Sequence, residues 1–587
     1  MCLNIPGACR EWLQTLHLAH ERPLCDENVA WILDELGTNE RIFEQESSTG
    51  FIPTRLLDLG TDEADDIQLI ETSTLSFNPK YVALSYCWGS PSEAAQQLKT
   101  TSSTLQQHYQ QLPSDGITKV IKDAVEVTRA LSVRYLWIDA LCIIQGDDQD
   151  WARESQLMGL VYSNSYVTIC SLASANCLEG FLDRSSPIQV PFQSSIRPGI
   201  AGVISLRRQP KLDNYNYRGP DYSSQDFDLL LSTWFERAWT YQESELSRRK
   251  ILFGRSRVHL SLMNMNITEA DAQRVNSPTS FHDDLRRLTT MGDYEVMYDS
   301  WLETAESYAH RQLSDQRDKL PAISGLVRLL AEAIKDDYVA GIWQNDLIRG
   351  LLWKTIYRVG SNQSEHLQQC PLPGSATYIS PSWSWANHTL LSWPSLTHKS
   401  LEDLGKVDHR EHSLRWECKS LSAWSRPENI ALNPYGRVRD ARIYIRSYCM
   451  RLESAMSPVS PRDVGQSWQA TLQDGSIAIC DLDWKGPKEE QALALESVSM
   501  LLLASSIGGK YSKQLIRSIQ RDEPMDISEA KCLQPAQDGS TSRNAWGLLI
   551  HPIGDDKFVR VGRFKIPAEV GGLRAFQACE CKFIELL

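Results

Sequence analysis

Tyr81-Val82-Ala83-Leu84-Ser85-Tyr86-Cys87-Trp88-Gly89 is the stretch that decides the fold of this chain. Its first six residues form a short, nearly continuous apolar run, the pattern of a strand buried on both faces. The run stops at Trp88-Gly89-Ser90-Pro91, a turn signal. Downstream, Val120, Ala124, Val127 and Leu131 recur at helical spacing and predict a helix between Ile117 and Leu131. Tyr135-Leu136-Trp137-Ile138 predicts a second buried strand ended by Asp139. A helix from about Asp150 to Tyr162 and a third strand, Tyr166-Val167-Thr168-Ile169-Cys170, complete the run. Strand, helix, strand, helix, strand in this rhythm implies right-handed crossovers and a doubly wound, mainly parallel α/β sheet. Gly89 and Asp139 then stand at the carboxyl ends of strands, where open α/β sheets place their ligand crevice.

Outside this core the signals thin. Residues 1–50 form an N-terminal extension with one short helix, Val29 to Leu36, and a polar stretch, Glu44 to Gly50. The α/β domain is assigned to 51–260, with its motif core at 81–253 and an insertion of loops at about 185–230. Within it Trp234 to Glu245 is helical in pattern and Lys250-Ile251-Leu252-Phe253 is a strand. A mainly helical region follows at 261–360, where Ile323, Leu326, Leu330, Ala333 and Ile334 share a stripe. Residues 361–587 are β-rich. Arg442-Ile443-Tyr444-Ile445-Arg446 alternates, Asp474-Gly475 is a hairpin turn, and Gly547 to Ile550 is set to pair with Phe558 to Val561.

Length and composition narrow the function. The chain has 587 residues, enough for two to four domains, with 42% apolar and 23% charged residues, a globular balance. A formal net charge of −14 without a dense Lys/Arg stripe disfavours nucleic-acid binding. Met1 to Trp12 lacks the apolar core of a signal peptide, and the apolar stretch around Met500 to Ala504 is too short to span a bilayer. The 14 cysteines include no CxxC pair, so reduced thiols in a cytoplasmic protein are the expectation.

Motifs for nucleotide, serine-hydrolase or zinc chemistry (GxGxxG, the P-loop, GxSxG, HExxH) do not occur. Asp147-Asp148-Gln149-Asp150 suits a loop leading into a helix capped by Asp150 better than a cation site. Cys142 has no histidine near it in sequence and is expected to be a buried structural thiol. Arg237-Ala238-Trp239-Thr240-Tyr241-Gln242-Glu243 is richer. At helical spacing Trp239 and Glu243 lie one turn apart on one face, flanked by Gln242. A carboxylate desolvated beside an aromatic has a raised pKa and suits acid/base or ribose-binding work. The competing reading pairs Glu243 with Arg237 or Arg248 in a structural network.

Three blocks resemble the fungal heterokaryon incompatibility (HET) domain. They are Tyr81 to Gly89; Leu136-Trp137-Ile138-Asp139-Ala140-Leu141-Cys142-Ile143-Ile144-Gln145 with Trp151, Gln156, Met158, Val161 and Tyr162; and Arg237 to Glu243 with Leu246, Ser247, Arg249 and Phe253. Flanking segments, among them Pro53 to Leu57, Asp318 to Leu326 and Pro381 to Ala386, are similar to long members of the family, so the likeness covers most of the chain from about residue 51. The resemblance implies non-self recognition and regulated cell death, an innate-immune role, in filamentous fungi. HET domains are in turn similar to Toll/interleukin-receptor (TIR) domains, doubly wound flavodoxin-like folds. Some of these cleave NAD at the nicotinamide–ribose bond with one glutamate in a Trp-Cys-x-x-Glu segment. Trp239 to Glu243 has the same Trp-to-Glu spacing, with Thr240 in place of the Cys and a long insertion before it.

The resemblance therefore implies an NAD(P) glycohydrolase with Glu243 as its catalytic residue. Ser85, Tyr86, Trp88, Gly89, Asp139, Trp239 and Gln242 would bind the substrate. NAD is then a substrate, and neither a cofactor nor a metal is required. The alternative is a non-enzymatic signalling module that works by self-association or by binding a protein partner.

Overall fold

A computed structural model describes residues 20–21, 26–38, 50–60, 67–185, 188–206 (except 195 and 198), 224–262, 265–269, 274–276, single positions between 281 and 292, 294–355, 362–394 (except 371, 376 and 390), 414–459, 467–484, 495–507 and 543–587. The segments Met1 to Trp12 and 44–49, read above for a leader and a polar stretch, lie outside the described residues. The chain forms two units, Met1–Ser280 and Phe281–Leu587.

The first unit is built on a nine-stranded sheet: β1 (Arg55–Asp58), β2 (Gln68–Glu71), β3 (Tyr81–Ser85), β4 (Tyr135–Trp137), β5 (Val167–Cys170), β6 (Arg249–Phe253), β7 (Val258–Leu262), β8 (Met265–Thr268) and β9 (Arg274–Asn276). Their spatial order is β9-β8-β7-β6-β5-β3-β4-β1-β2. The middle four pair in parallel, β6 with β5, β5 with β3 and β3 with β4. Antiparallel strands flank them on both sides: β1 joins β4, and β7 joins β6. The sheet is thus mixed, with a parallel centre. Three of these four parallel strands, β3, β4 and β5, are the ones that residues 81–170 predict, and each of the three is buried throughout, as a sheet covered on both faces requires.

The chain steps from β3 outward to β4, returns past β3 to β5, and continues to β6. Right-handed crossovers running in opposite directions put α1 (Lys119–Ala130) on one face and α2 (Asp148–Asn164) on the other. Strand alternation agrees. Tyr81, Ala83 and Ser85 share a face of β3, and Tyr81 donates to the Val161 carbonyl of α2 at 2.7 Å. The order of strands reverses between β3 and β5, so the crevice of this sheet lies where Ser85 is in register with Cys170.

Several elements differ from expectation. Trp234 to Glu245 is two helices, α3 (Thr233–Glu236) and α4 (Ala238–Leu246), with Arg237 extended between them at φ −78° and ψ 140°. Helical periodicity continues across the break, which is why the sequence reads as one helix. The insertion at 185–230 contains a hairpin, Ile188–Gln193 with Ala201–Leu206, among its described residues. Asp147, not Asp150, caps α2, accepting from the Gln149 and Asp150 amides at 3.0 Å each. Asp150 is turned inward, bound to Arg55 at 2.5 Å and accepting from the Ile144 amide at 2.8 Å. The sheet runs past residue 260 through β8 and β9.

The second unit begins with helices, including α5 (Tyr294–Ala309) and α6 (Ser324–Ile334), whose Leu326, Leu330 and Ile334 stripe is buried. Its strands β10 (Val438–Arg451), β11 (Trp468–Thr471), β12 (Ile477–Leu482), β13 (Ser499–Ile507), β14 (Arg543–Gly554), β15 (Lys557–Ile566) and β16 (Glu580–Leu586) form the β-rich part. Pairing runs from β10 to β13, β14, β15, β16 and back to β10, so these five strands close on themselves and leave no free edge within the ring. β11 and β12 join through the Asp474-Gly475 turn, where Gly475 has φ +81°. Fully buried Arg560 lies over Trp353 and binds Asp483 together with the Leu351 and Trp353 carbonyls.

In the first unit, the buried Arg55 guanidinium ties β1 to the Cys142 carbonyl at 2.7 Å as well as to Asp150, and so holds the turn that carries Asp139. Arg55→Met leaves Asp150 and Glu154 buried without their cation, and should cost about 3 kcal/mol of unfolding free energy. Denaturant unfolding measures this; a loss below about 1 kcal/mol, the range of surface pairs, contradicts it.

Candidate functional site

Ser85 closes β3, and its side chain points to the face on which α2 and α4 lie. Three groups meet there. The Ser85 hydroxyl donates to Glu243 Oε2 in a short hydrogen bond. The Trp234 indole Nε1 donates to Ser85 Oγ at 2.7 Å. All three side chains are buried, Ser85 and Trp234 to 1% exposure and Glu243 to 5%. Trp234 arrives from α3 and Glu243 from α4, and the break at Arg237 lets both helices bring their side chains to the same hydroxyl. Thr240 fastens that junction, donating to the Trp234 carbonyl at 2.6 Å and the Arg237 carbonyl at 2.9 Å.

A second cluster borders the first. Asp139, in the single helical turn Asp139–Cys142 that follows β4, accepts from Trp88 Nε1 at 2.9 Å and from the Ala140 amide at 2.7 Å. The Tyr86 hydroxyl donates to Gln97 Oε1 at 2.8 Å, and Arg237 donates to the Tyr86 carbonyl at 3.3 Å. Trp88 and Asp139 are half-buried and Gly89 is exposed, so this cluster forms the rim and Glu243 the floor.

Electrostatics follow from that geometry. Burial pushes the Glu243 carboxyl up to about 7; the Ser85 hydrogen bond pulls it down, the charge of Asp139 pushes it up, and Arg237 and Tyr162 pull it down. The hydroxyl of Ser85 thus outweighs Arg237 in holding the carboxylate, contrary to a simple ion-pair account. Asp139 is also raised, by burial first, with Arg237, the Ala140 amide and Trp88 opposing. Both carboxyls are thus raised chiefly by burial, with the Arg237 guanidinium opposing the rise in each.

The structure gathers Ser85, Tyr86, Trp88, Asp139 and Glu243 around the ends of β3 and β4. Gln242 is fully buried one residue before Glu243. Trp239 is half-buried and meets Trp151 of α2 edge-on, ring centroids 6.4 Å apart, while the indole that hydrogen-bonds Ser85 beside the carboxyl is Trp234. Helical spacing put Trp239 and Glu243 on one side of α4, but that side is broad enough to serve two neighbours. Trp234 and Tyr162, whose hydroxyl donates to the Leu84 carbonyl at 3.1 Å, were not singled out as site residues from sequence. Burial pushes the Cys142 thiol up to about 12, which leaves it an inert core thiol. Among the described residues no group of three or more His, Cys, Asp or Glu is placed to hold a metal ion, and no helix is long and apolar enough to cross a membrane.

An α/β domain with a desolvated carboxyl under the switch point of its parallel strands is the class this unit defines. Residues 81–243 match the family model described as Heterokaryon incompatibility protein (HET), which makes this segment a HET domain and supports a role related to heterokaryon incompatibility and cell death. The match begins at the first residue of β3 and ends at Glu243. No curated protein and no solved structure matches the chain.

Two predictions follow from these positions. Gly89 has φ +86°, and a Cβ there would stand 2.5 Å from the Asn176 Cβ and 2.6 Å from Glu93 Oε2. Gly89→Val should therefore cost about 2 kcal/mol through strain, read as a lowered melting temperature; an unchanged one contradicts it. Glu243 carries the second. Folding raises its pKa from the ordinary 4.5 to about 7. The folded chain then holds a proton that the unfolded chain has released, so the contribution is full below pH 4.5 and lost as pH rises through about 7. That displacement corresponds to roughly 3 kcal/mol. Glu243→Gln, which does not titrate, should gain stability relative to the parent chain between pH 5 and pH 8; parallel stability curves contradict the burial argument.

Proposed function

We propose that the first unit is the effector part of a HET-type cell-death protein acting in the cytosol, and that it hydrolyses NAD or a related nucleotide at the nicotinamide–ribose bond. The observation that carries this reading is the Glu243 carboxyl, buried at the strand switch point, hydrogen-bonded by Ser85, and ionising near neutrality. The parallel order β4-β3-β5-β6 supports a TIR/flavodoxin-like reading of the domain, since it follows the second-first-third-fourth order of that fold.

In the reaction, the bond between ribose C1′ and the pyridinium nitrogen breaks and nicotinamide leaves neutral with the bonding pair. Water adds to the oxocarbenium-like C1′ and releases one proton, giving the ribosyl product. Ionised Glu243 stabilises the positive charge at C1′ and orients the ribose hydroxyls, one of which takes over the hydrogen bond that Ser85 makes in the free protein. A cationic substrate also lowers the Glu243 pKa, so binding itself favours the reactive form. Tyr86, Trp88, Gly89 and Asp139 form the rim against which the nucleotide lies. The chain supplies every group this reaction uses, so neither a metal nor a cofactor enters.

A second reading rests on the depth of Glu243, which is 5% exposed. There the carboxyl is an internal brace between α4 and β3, and the domain works by self-association or by capturing a protein partner. Nicotinamide release separates the two. The full chain should release nicotinamide from NAD, and Glu243→Gln, which keeps the shape and loses the charge, should lower the rate at least about 100-fold while staying folded. A folded parent chain that leaves NAD intact and remains toxic in cells supports the brace and ends the enzymatic reading.

A further inference from the structure

We infer that Trp234 is the positioning residue that sets the ionisation of Glu243, by locking the Ser85 hydroxyl into a one-way donor. This deepens the enzymatic reading of the same site and rests on it for its catalytic meaning, though the lock itself is independent of turnover.

The argument is a count of protons. An indole N–H donates and cannot accept, whereas a serine hydroxyl has one proton to give and lone pairs to receive. Trp234 Nε1 lies 2.7 Å from Ser85 Oγ, so it occupies a lone pair and bars the Ser85 proton from its own direction. The Ser85 proton goes to Glu243 Oε2. A donor that itself accepts a hydrogen bond is polarised and becomes a stronger donor, and in a buried site that effect is little screened. The ionised form of Glu243 benefits, because a carboxylate only accepts. The Ser85 hydrogen bond is the largest influence opposing the burial of Glu243, so whatever orients that hydroxyl sets where the carboxyl titrates.

Trp234 is placed for this and little else in the site. Its ring packs with Cys87, Cys170, Leu172 and Leu252 around the ends of β3, β5 and β6, which fixes the indole plane. Its carbonyl is tied to α4 by Thr240, so the two helix ends are braced together where Trp234 and Glu243 hold Ser85 from two sides.

The test reads the ionisation of Glu243 directly, as the protonated-carboxyl infrared band that Glu243→Gln removes, followed against pH in the full chain. Trp234→Phe keeps an aromatic ring and loses the N–H. It should move the midpoint upward by roughly half a pH unit or more. Replacement of Trp234 by 3-benzothienylalanine, which keeps the bicycle and exchanges N–H for sulfur, should do the same and covers the case in which Trp234→Phe fails to fold. In a Ser85→Ala background neither change should move the midpoint further, because Trp234 acts through that hydroxyl. An unmoved midpoint in the N–H-deleted chain, or an equal shift with and without Ser85, overturns the inference. If the shift appears as described but the parent chain leaves NAD intact, the lock stands and the enzymatic reading falls. If NAD is consumed without any shift, the reverse holds.

Discussion

A carboxyl group withdrawn from water must be answered by its neighbours, and in this chain Glu243 is answered mainly by one hydroxyl. That requirement organises much of the first unit. Ser85 must end its strand on the correct face, so the register of β3 matters to a single residue, since a slip by one would turn Ser85 away and present a neighbour of opposite orientation. The helix bearing Glu243 must begin close to the strand end, which the extended Arg237 achieves by breaking one helix into two. The reversal of strand order between β3 and β5 opens the place where these side chains meet.

The central sheet was legible in the sequence because its signals are local. Tyr81 to Ser85, Tyr135 to Trp137 and Val167 to Cys170 are short apolar runs between turn residues, and all three are buried as strands. Gly89 announced itself by its position before Ser90-Pro91. The Asp474-Gly475 hairpin and the pairing of β14 with β15 were legible for the same reason. Glu243 was singled out through its spacing from Trp239 and its resemblance to a known motif, and the structure places it beneath the strand ends.

What escaped depends on contacts between residues distant in sequence. Trp234 and Ser85 are 149 positions apart, and nothing in the pattern around either one points to the other. Trp239 was associated with Glu243 because both lie on one side of α4, yet its ring is engaged by Trp151 of α2. Asp150 looked like a cap because it stands at a helix start, but Arg55, 95 residues upstream, draws it inward and leaves the cap to Asp147. The closed ring of β10, β13, β14, β15 and β16 could not be foreseen either, since alternation marks strands without saying which will pair.

The account turns on whether the floor beneath Ser85 and Trp88 is where a nucleotide sugar is held. A crystal structure of the full chain carrying Glu243→Gln, grown with NAD, tests this most directly. The account predicts the nicotinamide ribose at the ends of β3 and β4, with one of its hydroxyls hydrogen-bonded to residue 243 and the Ser85 side chain released from it. A nucleotide bound elsewhere, or a site that stays closed by the Ser85 hydroxyl at saturating NAD, would contradict it.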